Sequence, residues 1–342
     1  MKFLPAAFLI LFFIPATGSA QNKENKFVVA SYNVENFYDT VDAPGTGDEE
    51  FTPRGSREWT YERYRNKLDA LARVIGSIPG KELPALLGLA EVENRQVLED
   101  LAGSRGLKRA NYEIIHDEDR DPRGIECALL YRPELFRYSS HEYIPVEDPL
   151  DPDYLYRGIL HVTGTGPDGS VLHVFMNHWK SRSGGTEKTA RQRMFTAITL
   201  RKTLDILRSG EPDPRIIIMG DFNDEPTNGS ISNGLSAGGK RRNIQLGDLY
   251  NLFYDPHNLL GQGTYFFQGQ WNMLDQVIVS YNLLNREKGL STSYDGGKIL
   301  KEDWMLHERE KYGEKLPSAT YSGPEYSGGP SDHLPVYVVF SY

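Results

Sequence analysis

Arg215-Ile-Ile-Ile-Met-Gly-Asp-Phe-Asn223 is the stretch on which the fold turns. Three isoleucines followed by a methionine leave no polar face, so residues 215–219 are expected to form a strand buried on both sides. A strand of that kind fixes its last residues firmly, and side chains two apart share a face. Asp221 and Asn223 are therefore expected to converge on one small target. A carboxylate beside a carboxamide suits a general base paired with a neutral group that orients an oxygen. The same two residues also suit a plain strand-to-loop turn.

Outward from this strand, apolar strands alternate with amphipathic helices. Phe27 to Asn33 reads as a first strand with a polar end. Tyr64, Leu68, Leu71, Ile75 and Ile78 recur by fours and threes, which predicts a helix with one apolar face. Pro84 to Ala90 is an interior strand ending at Glu91, and Val97, Leu98 and Leu101 mark a short helix. Glu93 and Asn94 are expected at its solvated start. Strands are expected at 112–116, 127–131, 158–163 and 171–176, the last two joined by the turn Gly166-Pro-Asp-Gly169. Met194, Ala197, Leu200, Leu204 and Leu207 give a second long helix, and strands at 274–279 and 334–340 complete the set. Residues 288–329, with Trp304 and Tyr321, are expected to be an ordered insertion, and nothing separates the chain into halves, so residues 27–342 are read as one domain.

Polar residues cluster just past the strand ends, where a rigid sheet holds side chains best. Asn177-His178-Trp-Lys180-Ser-Arg182 offers a carboxamide, an imidazole and two cations, a palette for an anionic substrate or simply a solvated basic turn. Ser331-Asp332-His333 pairs a carboxylate with an imidazole ahead of an apolar strand, as a site or as a strand cap. Glu91 closes an apolar run in which an unpaired carboxylate is costly. A divalent cation would relieve that cost, and oxygen ligands favour Mg²⁺, Mn²⁺ or Ca²⁺ over zinc.

The 38 Lys and Arg against 47 Asp and Glu give a charge of −9, which argues against broad electrostatic capture of nucleic acid but not against an enzyme that recruits its own cations. Lys2, the apolar run 3–14 and Gly18-Ser19-Ala20 form a signal peptide expected to be cleaved after Ala20, so the mature protein is expected in the periplasm or outside the cell, without stable membrane insertion. Cys127 is the only cysteine. It lies in an apolar run and is read as a core thiol rather than a nucleophile.

The ordered set Ser31-Tyr-Asn-Val-Glu-Asn36, Ala90-Glu91-Val-Glu-Asn94, Asn177-His178, Gly220-Asp-Phe-Asn223, Leu274-Asp275-Gln-Val-Ile-Val279 and Ser331-Asp-His333 resembles the endonuclease/exonuclease/phosphatase superfamily, over residues 27–342. The resemblance implies an α/β (α+β) fold like that of deoxyribonuclease I: a four-layered sandwich of two mixed, mainly antiparallel sheets flanked by helices. It also implies a metal-dependent phosphoester hydrolase. By the same resemblance, Asn33, Glu91 and Asp332 hold the metal, Asp221 activates water, Asn223 contacts phosphate, and Asp275 supports His333. His178 is similar to a second histidine of the deoxyribonuclease I branch, supported by Glu126, and Arg157 to an arginine that approaches phosphate there. That branch implies a nucleic acid substrate. A phosphatase or lipid-headgroup phosphodiesterase is the second reading, and a non-catalytic binding module the third. The segment between Asp275 and Ser331 and the acidic loop Asp48-Glu-Glu-Phe51 have no counterpart in the resemblance.

Overall fold

The computed structural model describes residues 25–79, 83–117, 121–309 and 313–342. The segment read as a signal peptide lies outside them. Two sheets face each other. The first has the order β14 (Gly297–Ile299), β19 (Val336–Ser341), β1 (Lys26–Phe37), β2 (Leu86–Val92), β4 (Glu126–Tyr131), β3 (Glu113–Ile115). The second runs β5 (Arg137–Ile144), β6 (Ile159–Thr165), β7 (Val171–His178), β8 (Arg215–Asp221), β13 (Asp275–Ser280), β10 (Leu249–Asn251), β9 (Ala237–Gly238). Most neighbours are antiparallel. Three pairs are parallel, β1–β2, β7–β8 and β9–β10, and the first two are connected by crossovers through α1 (Tyr61–Gly76) and α3 (Thr186–Gly210).

Side-chain parity sorts the core into three layers. Phe27 and Val29 on β1, Val174 and Met176 on β7, Ile217 and Met219 on β8, and Val277 and Val279 on β13 pack between the sheets. The alternate residues Val28, Ala30 and Tyr32 face α1 and α2 (Arg95–Gly103). Phe175, Ile216 and Ile218 face α3. Helix, sheet, sheet and helix make the four layers. Gly88 brings the sheets together: a Cβ there would stand 2.5 Å from Met176 Sδ and 2.8 Å from Met219 Cε. Cys127 is buried between the sheets.

The structure departs from expectation in two places. β5 is a long strand that the sequence reading leaves out, because its residues are mostly exposed and lack an apolar period. Asn94 does cap α2, accepting from Val97 N at 3.1 Å, but Glu93 is buried rather than solvated and takes the Asp39 N–H at 2.6 Å. In the acidic loop at 48–51, Glu49 and Glu50 are exposed while the two ends turn inward: Asp48 accepts from Thr46 Oγ1 at 2.7 Å, and Phe51 stacks on Tyr38. Within 288–329, β14 extends the first sheet, and the hairpins β15–β16 (Leu306–Arg309, Glu314–Pro317) and β17–β18 (Tyr321–Ser322, Glu325–Tyr326) follow. A further hairpin, β11–β12 (Tyr265–Phe267, Gln270–Asn272), precedes β13.

Candidate active site

The parity that fills the inter-sheet core also builds the site. His178 continues the inward face of β7, Asp221 that of β8, and Asp275 opens that of β13. Register sets them side by side, His178 opposite Asp221 and Asp221 opposite Asp275. Gly220 makes this possible: with φ at +138°, its missing Cβ would stand 1.9 Å from Asn177 O. From the first sheet, Asn33 Nδ2 donates to Asp221 Oδ2 at 3.1 Å and to Glu91 Oε1 at 3.3 Å, linking the two sheets at this end.

His333 enters on the loop before β19, its Nδ1 2.7 Å from Asp275 Oδ2 and its Nε2 4.0 Å from Asp221 Oδ2. Thr264 Oγ1 donates to the same Asp275 oxygen at 2.6 Å, and the Tyr265 ring covers the imidazole at 4.8 Å. On the other side, His178 Nε2 lies 3.8 Å from Asp221 Oδ2 and 3.5 Å from Glu91 Oε1. Two imidazoles thus flank one carboxylate. Asn223 closes the turn that its position suggested, donating from its backbone N to Asp221 Oδ1 at 2.8 Å and from Nδ2 to Oδ2 at 3.1 Å. Turn and site are the same structure here.

Glu91 sits at a register break between Leu89 and Val92, in left-handed backbone with φ at +66°. Asn36 N donates to its Oε2 at 2.8 Å. Glu35 and Asn36 are left-handed as well, at a second break between Asn33 and Phe37. Non-glycine residues in this region cost free energy and cluster at functional sites.

The charges are crowded. Burial pushes the Asp221 carboxyl up to about 6, with Asp275 adding to the shift. Burial, reinforced by Glu91, raises Asp332 to about 6, and burial with Asp332 raises Glu35 to about 7. Burial opposes the charge on His333, yet Asp275 and Asp221 overcome it and hold the imidazole well above its ordinary range. Burial lowers His178 instead, helped by Arg157 and Arg123. The two imidazoles are thus shifted in opposite directions.

The Endonuclease/Exonuclease/phosphatase family profile matches residues 28–341. The chain belongs to that family. No curated protein sequence matched it. Among solved structures, an endonuclease/exonuclease/phosphatase family protein from Bacteroides thetaiotaomicron aligns at 18% identity and TM-score 0.56, covering 94% of this chain and 99% of that one. A mannosyl-6-phosphatase from the same organism aligns at 17% and 0.55, covering 92% and 100%. D. rerio TDP2 complexed with single-strand DNA product aligns at 13% and 0.55, covering 93% and 100%. At these identities the likeness concerns the fold.

Members of the family are metal-dependent phosphoester hydrolases, and the donor set suits a hard cation. The tightest trio of ligating atoms among the described residues is Asp221, Asp275 and His333, all within 4.8 Å. Its imidazole already spends Nδ1 on Asp275 Oδ2. Glu91 and Asp332 remain, mutually repelling oxygen donors of the kind that Mg²⁺, Mn²⁺ or Ca²⁺ takes. Asn33, expected as a third ligand, instead turns its amide nitrogen to Glu91 and Asp221 and spends its oxygen on Glu35 N at 2.9 Å.

Other expected members fall differently. Glu126 does not hydrogen-bond His178: it takes Asp121 N at 3.1 Å, and the buried His178 Nδ1 makes no hydrogen bond. Arg157 pairs with Asp121 and donates to Trp179 O at 3.1 Å, so an ion pair competes with any phosphate for it. Arg182 faces inward and braces the loop after Asp221, reaching Asn223 O at 2.7 Å and Asn228 Oδ1 at 3.0 Å. Lys180 keeps to a cleft of about 420 Å³ beside His178, with Arg123, Tyr154 and Trp179.

Glu35 and Lys67 also belong to the site's surroundings, with no role expected for either. Glu35 Oε2 accepts from Asp332 N at 3.0 Å and Thr320 N at 2.7 Å. Lys67, buried on α1, donates to Glu35 O at 2.6 Å and to Pro330 O at 3.3 Å. Together they tie the 318–333 segment to β1. Lys67 stands three residues after Tyr64 and four before Leu71, so a lysine within the apolar stripe was the available signal.

Proposed function

We propose that this protein is an exported, metal-dependent phosphodiesterase acting on nucleic acid. The observation that carries the reading is the pair of imidazoles, His178 and His333, whose Nε2 atoms both lie within 4.0 Å of Asp221 Oδ2. Asp221 takes the proton of the attacking water, oriented by the amides of Asn33 and Asn223. His333, charged through Asp275, donates to a phosphate oxygen or to the leaving oxygen. Neutral His178 donates a hydrogen bond from the opposite flank. A divalent cation, Mg²⁺ with Mn²⁺ or Ca²⁺ as substitutes, would be held by Glu91 and Asp332 and would neutralise charge on the phosphate oxygens. Lys180 and Arg123 in the neighbouring cleft provide contacts for an adjacent phosphate, with Arg157 available only by release from Asp121. Tyr265 and the outward-facing Phe267, stacked at 6.3 Å, offer a surface for a base.

A second reading, hydrolysis of a small phosphate ester or lipid headgroup, is favoured by the size of the cleft beside His178 and by the net charge of −9. Supercoiled plasmid, bis(p-nitrophenyl) phosphate and p-nitrophenyl phosphate, each with Mg²⁺ and with EDTA, separate the two. Plasmid nicking abolished by EDTA is expected. Turnover of either small ester without nicking would replace the first reading by the second, and inertness toward all three would leave only a binding role. N-terminal sequencing of the mature protein is expected to begin at Gln21, and a retained Met1 would remove the export proposal.

A further inference from the structure

The outer face of the second sheet carries a pair of histidines that the catalytic centre does not use. His161 on β6 and His173 on β7 are diagonal neighbours, with His161 Nε2 3.1 Å from His173 Nδ1. The opposite nitrogen of each ring meets a carboxylate. His161 Nδ1 is 3.1 Å from Glu142 Oε1 on β5, and His173 Nε2 is 3.1 Å from Glu211 Oε2 just past α3. Thr163 Oγ1 stands 3.4 Å from both inward nitrogens. The Phe175 ring lies flat on His161, with centroids 4.2 Å apart and planes 3° apart, which fixes the imidazole's rotation. Both histidine side chains are largely covered, at 12% and 7% exposure.

Each carboxylate needs an N–H to accept, and the inner contact needs one proton between two nitrogens. Three protons shared over four nitrogens would satisfy all three contacts. Histidines that ligate metals characteristically donate their other N–H to a carboxylate, which orients the ring and raises its basicity. Two imidazole nitrogens at 2.0–2.1 Å from a shared tetrahedral cation stand roughly 3.3 Å apart. The inner separation nearly matches that bite.

We propose that His161 and His173 form a binding site for a late first-row transition cation, Zn²⁺, Ni²⁺ or Cu²⁺, with Thr163 and water completing the coordination. The cation replaces the shared inner proton, so one proton leaves for each cation bound, while Glu142 and Glu211 keep their N–H contacts. Nitrogen donors separate this site by chemistry from the oxygen-rich catalytic centre. Geometry separates it too: His173 and His178 share a strand but point to opposite faces, about 16 Å apart along it.

Untagged, metal-depleted full-length protein is titrated with Zn²⁺ by calorimetry in buffers of different ionisation enthalpy, with Mg²⁺ kept saturating. Wild type is expected to bind one equivalent of Zn²⁺ more than His161→Gln or His173→Gln, with release of about one proton. One equivalent of Cu²⁺ is expected to show electron paramagnetic resonance coupling to two imidazole nitrogens. Glu142→Gln is expected to weaken Zn²⁺ binding on the order of tenfold. Mg²⁺-supported hydrolysis is expected to be unchanged in His161→Gln. Equal stoichiometry in wild type and His161→Gln, or Cu²⁺ coupled to fewer than two nitrogens, would overturn the proposal. His161→Gln alone decides if circular dichroism finds His173→Gln unfolded.

Discussion

His178, Asp221 and Asp275 reach the centre on in-register strands of the second sheet, with positive φ only at the flanking Gly220 and Asn223, whereas Glu35 and Glu91 reach it on broken strand ends of the first, with their own backbone in the left-handed region. The groups proposed to handle protons thus inherit their spacing from the ladder itself. Carboxylates that crowd around one point, as Glu35 and Glu91 do, are not brought there by two-residue alternation without a register break. That half is strained, at about 1–3 kcal/mol for each such residue, and self-repelling. It is held by ties from elsewhere: Glu35 to the backbone of Thr320 and Asp332, and Lys67 beneath. One half gets its precision from regular structure, the other from over-determination.

The contrast is open to attack first at Asp221. Asp221→Asn keeps the side chain's shape between Asn33 and Asn223 but removes the base. A fall in kcat on the order of 10²–10³-fold is expected, with thermal stability no lower than wild type, since a carboxyl raised by burial is lost. Near-normal turnover would break the assignment of the second sheet to proton handling.

A smaller effect is expected at Asp275, the main group that keeps the His333 imidazole charged. Without it His333 loses its proton at lower pH, so the alkaline limb of the pH–rate profile should move down in Asp275→Asn. A hydrogen bond to a charged group contributes about 1.5–3 kcal/mol, which corresponds to roughly 10- to 100-fold in rate. An unmoved alkaline limb would mean that the charge on His333 does not govern the reaction.

The smallest effect tests the first sheet. Asp332 titrates near 6 in the folded chain against an ordinary 3.8. The folded form therefore holds a proton that the unfolded form releases, and the metal-free protein loses stability as pH rises through about 6. Asp332→Asn should stabilise metal-free protein at pH 8 on the order of 1–2 kcal/mol, and the gain should fade below the unfolded value. With saturating Mg²⁺ the order should reverse, because the variant forfeits the cation's stabilisation. Thermal melts at both pH values, with and without Mg²⁺, check this, and a gain that persists in Mg²⁺ would move the cation away from Asp332.

Asp221, Asp275, His178 and His333 were legible because each stands where an apolar strand begins or ends, and parity then decides the face. The breaks at Glu35 and Glu91 leave no trace in an apolar pattern, so the motif was visible but the role of Glu35 was not. Arg157 and Arg182 turn to protein partners for another reason. A charged residue past a strand looks the same whether it faces substrate or a distant partner, and Asp121 and Asn228, the partners of Arg157 and Arg182, are far off in sequence. β5 hides likewise, since an exposed strand lacks the buried face that makes a strand readable.

Cys127, the only thiol in the chain, gives the sandwich a built-in clock. With its sulfur enclosed between the sheets at 3% residue exposure, an alkylating reagent can reach it only while the layers are apart. The labelling rate therefore counts openings of the interlayer seam directly, without an introduced probe. Measured as substrate analogues or cations are added, it times how firmly the chemistry at one end clamps the two halves together.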